Sequence, residues 1–139
     1  FWMAPEVVTQ TTYTQKCDVF SFAIVMWETL MEEIPYSEAE NKSNIPYLVA
    51  TNPDFRPKIP AKFIDPVDEF AENSNLLESQ RQFVRLMQEC WQQDPELRPS
   101  FSQILSELFE IRGIATDGAA ASPMLGYSVK PRHRSATVL

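Results

Sequence analysis

The central part of the chain has an unusually apolar pattern. Residues 18–31, DVFSFAIVMWETLM, place apolar side chains on nearly every face of a helix, with polar breaks at Ser21, Glu28 and Thr29. A helix that is apolar all round is buried all round, so we expect this one to need partners on every side. Asp18 stands at its start, where a carboxylate can cap free backbone N–H groups and meet the positive end of the helix dipole.

A second helix is predicted over residues 81–91. Phe83, Met87 and Cys90 follow the i, i+4, i+7 spacing of one helix face, and Leu86 lies on the same face. The turn-forming sequence DPELRP then ends this helix. The pattern therefore predicts one apolar face packed against a core.

A third helix is predicted to begin at Ser100. Gln103, three residues later, is the partner expected in a capping box. Gly113 is expected to end the helix. The apolar stripe of this helix consists of Phe101, Ile104, Leu105 and Leu108.

The segments between these helices are more irregular. A short helix is predicted over 47–51, and the proline-punctuated PDFRPKIP that follows is a loop. Residues 61–80 are acidic with weak periodicity, which predicts a surface insertion with at most one loose helical turn. Residues 113–139 have small residues, proline and no apolar period, so we expect a disordered tail after a domain of residues 1–112.

Composition excludes several functions. The 12 basic and 19 acidic residues give a net charge of −7, which argues against nucleic acid as a partner. With only three glycines there is no glycine-rich phosphate loop. No run of eighteen apolar residues and no signal peptide occurs. Cys17 and Cys90, which have no C-x-x-C partner, are expected to be reduced thiols of a cytosolic domain, although two cysteines could pair.

Three separated segments carry a family resemblance. WMAPE at 2–6, DVFSFAIVMWE at 18–28 and CWQQDPELRPSF at 90–101 together resemble the C-terminal half of the large lobe of a eukaryotic protein kinase, in the tyrosine-kinase-like group. The A-P-E tripeptide alone would be weak evidence, but the three segments occur in the family's order and spacing. The resemblance implies a mainly α-helical fold, as part of an α+β parent domain.

The resemblance assigns supporting roles to four residues. Glu6 and Arg98 match the glutamate and arginine that form a buried ion pair in the family and tie the activation segment to the lobe. A guanidinium is the natural bidentate partner for such a carboxylate. Asp18 matches an aspartate that accepts hydrogen bonds from the catalytic loop, a role compatible with a simple N-cap. Trp91 matches a tryptophan packed near the ion pair, and on composition alone it is a core residue.

The substrate side is implied by a second set of residues. Trp2, Met3 and Ala4 match the stretch that lines the substrate pocket beside the phosphoacceptor. Glu28 matches a position that reads a basic residue of the peptide in some kinases, and a surface charge at the edge of the core is the alternative. Because Phe1 stands where tyrosine kinases usually have Lys or Arg, serine/threonine specificity is favoured over tyrosine specificity.

The residues that transfer phosphate in the family all precede A-P-E, so the chain is expected to be a fragment. ATP and Mg²⁺ would be bound by the full domain and neither by this fragment, which we expect to be inactive alone. A protein is the expected substrate. A pseudokinase or interaction module is the alternative. The kinase domain is expected in the cytoplasm, in a parent that could be membrane-anchored.

The C-terminal residues suggest one further partner. Ser135, Thr137 and Leu139 belong to an ending that resembles a ligand of PDZ domains, which bind a terminal carboxylate at a sheet edge. Many disordered tails end this way by chance. The basic run at 132–134 could mark a phosphorylation site at Ser135 or be a solvated cluster.

Overall fold

The computed structural model describes residues 1–64 and 74–116. Over these residues the chain is helical, without a strand, as the predicted fold class requires. Short 3-10 turns at Lys42–Asn44, Ala61–Phe63 and Pro95–Leu97 join the helices. The α-helices described are α1 (Pro5–Val8), α2 (Lys16–Met31), α3 (Ile45–Thr51), α4 (Ser74–Cys90) and α5 (Phe101–Thr116).

Helix α2 is the centre of the fold, and it begins two residues before the predicted start. Its N-cap is Gln15, without a side-chain hydrogen bond, so the prediction that Asp18 caps the helix is wrong. Asp18 lies in the first turn instead, where its charge still faces the positive dipole end. The helix ends at Glu32, whose left-handed backbone (φ 55°) lets its N–H bond to the Glu28 carbonyl.

Burial of α2 is one-sided, which corrects the expectation of burial all round. Phe20, Ala23 and Ile24 are fully buried, whereas Val25 is 45% exposed. Among the described helices, α4 packs against α2, whereas α1 and α3 pack mainly against each other. One face of α2 is therefore covered and another is left open. Apolar composition alone does not specify which faces find partners.

Helix α4 is longer than predicted. It begins at Ser74 rather than near residue 81, so the last part of the predicted acidic insertion forms its first two turns. Ser79 is buried there, and its hydroxyl donates to the Leu76 carbonyl at 2.8 Å. Residues 65–73 of the predicted insertion lie outside the described residues. The predicted apolar face is confirmed, with Leu86, Met87 and Cys90 fully buried.

Helix α5 packs along α4 and begins with the predicted capping box. The Ser100 N–H donates to Gln103 Oε1 at 2.8 Å, and the Gln103 N–H donates to Ser100 Oγ at 3.3 Å. The helix continues to Thr116, so the prediction that Gly113 ends it is wrong; Gly113 has no positive φ.

The apolar stripe predicted for α5 is only partly buried. Ile104 is buried and Leu108 packs against the core, but Phe101 and Leu105 are exposed. The Phe101 ring still meets the Phe22 ring of α2 edge-on, with centroids 5.8 Å apart. The predicted disordered tail lies outside the described residues from residue 117 onward.

Helix α3 and its flanking segments close the core beside α1. The predicted short helix is present but begins at Ile45, two residues before the predicted start, and its Ile45 and Val49 are buried. Tyr36 adopts a left-handed backbone (φ 57°), and its buried ring stacks on Phe55 at a centroid distance of 5.2 Å. The loop of residues 53–60 is thereby held against the end of α2, where Trp27 donates its indole N–H to the Lys58 carbonyl at 2.9 Å.

Candidate functional site

Glu6 and Arg98 form a bidentate ion pair. Arg98 Nη1 lies 2.7 Å from Glu6 Oε1, and Arg98 Nη2 lies 2.9 Å from Glu6 Oε2. Pro5 begins α1 and sets the backbone so that Glu6 lies in its first turn. The two residues are 92 positions apart, and both are buried, Arg98 at 1% and Glu6 at 8% exposure. The predicted pair is therefore present.

The Arg98 guanidinium has an acceptor for each of its five N–H groups. Besides the two bonds to Glu6, it donates to three backbone carbonyls. Nε donates to Gln92 at 2.8 Å, Nη1 to Lys16 at 2.8 Å and Nη2 to Gln93 at 3.2 Å. The Lys16 ammonium in turn donates to the Arg98 carbonyl. A buried ion pair is tolerated when its remaining hydrogen-bonding groups also have partners, and all five N–H groups of Arg98 meet this condition.

Electrostatics keep Glu6 ionised. Burial would raise the pKa of Glu6, but the hydrogen bonds from Arg98, a backbone N–H and the charge of Arg98 act in the other direction, and the pKa is lowered from 4.5. The ion pair is consequently charged at neutral pH.

Sequence reasoning missed two residues of this cluster. The Arg98 guanidinium lies over the ring of Phe20, 5.2 Å from its centroid, and the Arg56 guanidinium lies 5.1 Å from the same centroid. We call Glu6, Phe20, Arg56 and Arg98 the arginine cluster. The only hint in the sequence is that a second arginine occurs in the loop PDFRPKIP. Trp91 is buried next to the cluster and accepts a hydrogen bond from Arg56 through its carbonyl.

A groove of about 520 Å³ opens beside the cluster. Trp2, Met3 and Ala4, which the resemblance assigns to a substrate pocket, lie along it; Ala4 is buried, whereas the larger Trp2 and Met3 side chains are exposed. We call this surface the groove, and it is lined by Phe1, Trp2, Met3, Ala4, Val7, Tyr13, Cys17, Asp18 and Ser21.

Two hydrogen bonds fix the wall of the groove to α2. Ser21 Oγ donates to the Trp2 carbonyl at 2.7 Å, and the Trp2 indole N–H donates to Glu28 Oε2 at 3.3 Å. The polar interruptions Ser21 and Glu28 in the apolar helix are therefore the positions where the N-terminal segment attaches. In the sequence, Ser21 is only a polar break in the helix, and no pattern assigns it this role.

Asp18 lies on the groove and is exposed. Within residues 1–64 and 74–116, its carboxylate accepts a long hydrogen bond from the Cys17 thiol, with Sγ 3.8 Å from Oδ1. Its predicted partner, a catalytic-loop backbone, is not among the described residues, so this role stays a prediction.

Both thiols are protonated at neutral pH, because their pKa values are raised. Both cysteines are free, and burial raises the pKa of Cys90 to about 12. Burial, together with the nearby Asp18 and Glu6 charges, also raises the pKa of Cys17. Within residues 1–64 and 74–116, no group of three or more His, Cys, Asp or Glu side chains could hold a metal ion. These residues do not fit a Mg²⁺ site.

Comparison with known proteins agrees with this geometry. The family model described as protein tyrosine and serine/threonine kinase matches residues 1–108. The chain belongs to this protein kinase family.

Several curated relatives give the same result. The chain is 36% identical over 136 residues to serine/threonine-protein kinase STY17 of Arabidopsis thaliana, covering 96% of this chain and 21% of that protein. It is 41% identical over 110 residues to dual specificity protein kinase shkD of Dictyostelium discoideum, and the match covers 79% of this chain and 12% of that protein. It is 36% identical over 107 residues to mitogen-activated protein kinase kinase kinase 11 of Homo sapiens, and the match covers 77% of this chain and 10% of that protein. These relatives support the predicted tyrosine-kinase-like group, and the chain spans about a fifth of their length or less.

Some predicted features remain untested. Ser135, Thr137 and Leu139 lie outside the described residues, so the PDZ ligand stays a prediction. In the described part of the chain, no helix is long and apolar enough to span a membrane.

Proposed function

We propose that this chain forms the peptide-substrate side of the large lobe in a protein kinase that phosphorylates serine and threonine hydroxyls. In this proposal the Glu6–Arg98 pair ties the activation segment to the lobe, and the groove receives the protein substrate. ATP and Mg²⁺ bind to other parts of the domain. The observation that carries the proposal is the buried, bidentate pair between α1 and the loop after α4.

The chemistry of the groove supports this assignment. A peptide in extended conformation needs an exposed surface with apolar contacts and fixed polar groups, and the groove offers Trp2 and Met3 beside the backbone held by Ser21. Glu28 lies at the edge of this surface with its carboxylate oriented by the Trp2 indole. We assign Glu28 to a basic residue of the substrate.

The serine/threonine preference rests on Phe1 and on the relatives. Among the relatives named above, STY17 is called a serine/threonine-protein kinase, which supports the preference, and shkD is called a dual specificity protein kinase, which is compatible with it. The aromatic Phe1 occupies the position where tyrosine kinases usually carry a basic residue.

The experiment uses the intact protein that carries this chain, with Mg²⁺, labelled ATP and three peptides that differ only in a Ser, Thr or Tyr acceptor. We expect label on the Ser and Thr peptides and a loss of at least tenfold in kcat/KM for Glu6→Gln, because the activation segment loses its attachment. Arg85→Gln, an exposed change on α4, is the matched control and should leave kcat/KM unchanged.

Three results would contradict parts of the proposal. Label on the Tyr peptide alone would overturn the acceptor preference. ATP binding without transfer to any peptide would favour the pseudokinase alternative. Release of ADP by the isolated 139-residue chain above a buffer blank would overturn the assignment of ATP chemistry to other parts of the domain.

A further inference from the structure

Arg56 makes contacts that its loop position does not suggest. Its Nε donates to the Trp91 carbonyl at 3.1 Å, and its Nη2 donates to Gln93 Oε1 at 2.7 Å. The Gln93 amide then donates to the Ala50 carbonyl of α3 at 2.9 Å. One guanidinium thus joins the loop after α3 to the turn after α4.

The positive charge of Arg56 is held mainly by backbone carbonyls, and the neighbouring Asp54 carboxylate acts on it from beyond ion-pair distance. Within the described part of the chain Arg56 forms no ion pair. It faces instead the carbonyl end of α4, where Trp91 follows the last helical residue, Cys90. The unpaired carbonyls at a helix C-terminus carry partial negative charge and attract cations. The charge of Arg56 therefore interacts favourably with the C-terminal end of α4.

Arg56 and Arg98 hold the same turn. The three consecutive carbonyls of residues 91–93 each accept from an arginine, the first from Arg56 and the other two from Arg98. Both guanidiniums also lie over the Phe20 ring. Any movement of this turn away from Arg56 would displace two of the five acceptors that orient Arg98.

We propose that Arg56 is a positioning residue of the Glu6–Arg98 pair, acting through the turn at 91–93. This role needs the forked donors of a guanidinium, because one side chain must donate to the Trp91 carbonyl and to the Gln93 amide oxygen at the same time. A lysine ammonium is a single point charge and lacks this fork. The inference goes beyond the proposed function, because its test involves no phosphoryl transfer.

The first test is a double-mutant cycle on the intact protein that carries this chain, measured by urea unfolding. Arg56→Gln and Glu6→Gln are made singly and together, although Arg56 and Glu6 do not bond to each other. We expect Glu6→Gln to change the unfolding equilibrium constant about tenfold less in the Arg56→Gln background, since residues that share one network couple. Equal effects in both backgrounds would overturn the proposal.

The control for the cycle is Arg85→Gln. Arg85 is an exposed arginine on α4, outside the arginine cluster. Glu6→Gln should change the unfolding equilibrium constant by the same factor in the wild-type and the Arg85→Gln backgrounds. Coupling of the same size to Arg85 would show a general charge effect and would also overturn the proposal.

A second measurement decides the question if Glu6→Gln does not fold. Hydrogen exchange of the Arg98 Nε–H, which bonds the Gln92 carbonyl, is followed by NMR in folded Arg56→Gln and Arg56→Lys. We expect at least tenfold faster exchange in both variants and an unchanged rate in Arg85→Gln. Unchanged Arg98 exchange in the Arg56 variants would mean that Arg56 only packs the loop, and the proposal would fail.

Discussion

The arginine cluster and the groove lie side by side, share α1 and α2, and differ in how their polar groups are satisfied. In the cluster, the Arg98 guanidinium is buried and every N–H has an acceptor within the chain. In the groove, the Asp18 carboxylate and the Trp2 side chain are exposed. Buried charges demand complete pairing, whereas exposed ones are solvated by water. The cluster is thus complete within this chain, and the groove is open to another molecule or segment.

The largest expected effect comes from removing one charge of the cluster. Arg98→Met strands the Glu6 carboxylate in a buried site, so we expect a loss of about 3–5 kcal/mol in the free energy of unfolding, measured in urea. Arg85→Met on the exposed side of α4 is the control and should change stability by less than about 0.5 kcal/mol. A loss below about 1 kcal/mol for Arg98→Met would mean that water reaches Glu6 in solution.

Acid should remove the contribution of the same pair. The folded pKa of Glu6 is lowered from 4.5, so its contribution is fully present above this unfolded value and is lost as pH falls through the folded value. The difference in stability between wild type and Glu6→Gln should therefore be constant from about pH 7 to 5 and shrink below about pH 4. Urea unfolding of both proteins across this range measures it.

A matched acidic position separates this effect from general acid unfolding. Glu96→Gln changes an exposed carboxylate that forms no ion pair with the part of the chain that the structure describes, so its stability curve should run parallel to that of wild type. A wild-type minus Glu6→Gln difference that persists undiminished at low pH would contradict the ionised pair.

A smaller effect is expected where α5 begins. Ser100→Ala removes the side-chain half of the capping box, and we expect a loss of about 1 kcal/mol in unfolding free energy. Ser102→Ala, two residues further along the same helix and exposed, should be neutral or slightly stabilising because alanine favours the helix. Equal effects of both substitutions would show that the cap does not persist in solution.

The smallest change in stability is expected in the groove. Glu28→Gln should alter unfolding by less than about 0.5 kcal/mol, because its hydrogen bond to Trp2 is exposed. Binding of a basic peptide to the intact protein, followed by fluorescence anisotropy, should nevertheless weaken several-fold at low salt and less at high salt. Glu32→Gln, an exposed change at the end of α2, is the control. Identical affinities for wild type and Glu28→Gln would leave Glu28 as a surface charge.

Much of the local structure could be predicted because its causes lie within a few residues. The capping box needs only Ser100 and Gln103, and the buried face of α4 follows from the spacing of Met87 and Cys90. Predictions failed where local signals were weak or overridden. Gly113 fits into α5 without left-handed geometry, and the first two turns of α4 have too little periodicity to be recognised.

The candidate site divides in the same way. Glu6 and Arg98 were expected together only because three motifs resemble a known family; nothing in their spacing of 92 residues implies contact. Arg56 was missed because its partners are backbone carbonyls and an amide, which leave no pattern in the sequence.

By itself, the sequence determined the central parts of α2, α4 and α5, where α5 begins and which family the chain resembles, since these depend on side-chain periodicity, neighbouring residues and short motifs. Only the tertiary structure decided which face of α2 is buried and which acceptors satisfy Arg56 and Arg98. These outcomes depend on how the loop of residues 53–60 and the turn at 91–93 pack over Phe20. A buried guanidinium must find its hydrogen-bond partners wherever the fold supplies them, however distant in sequence.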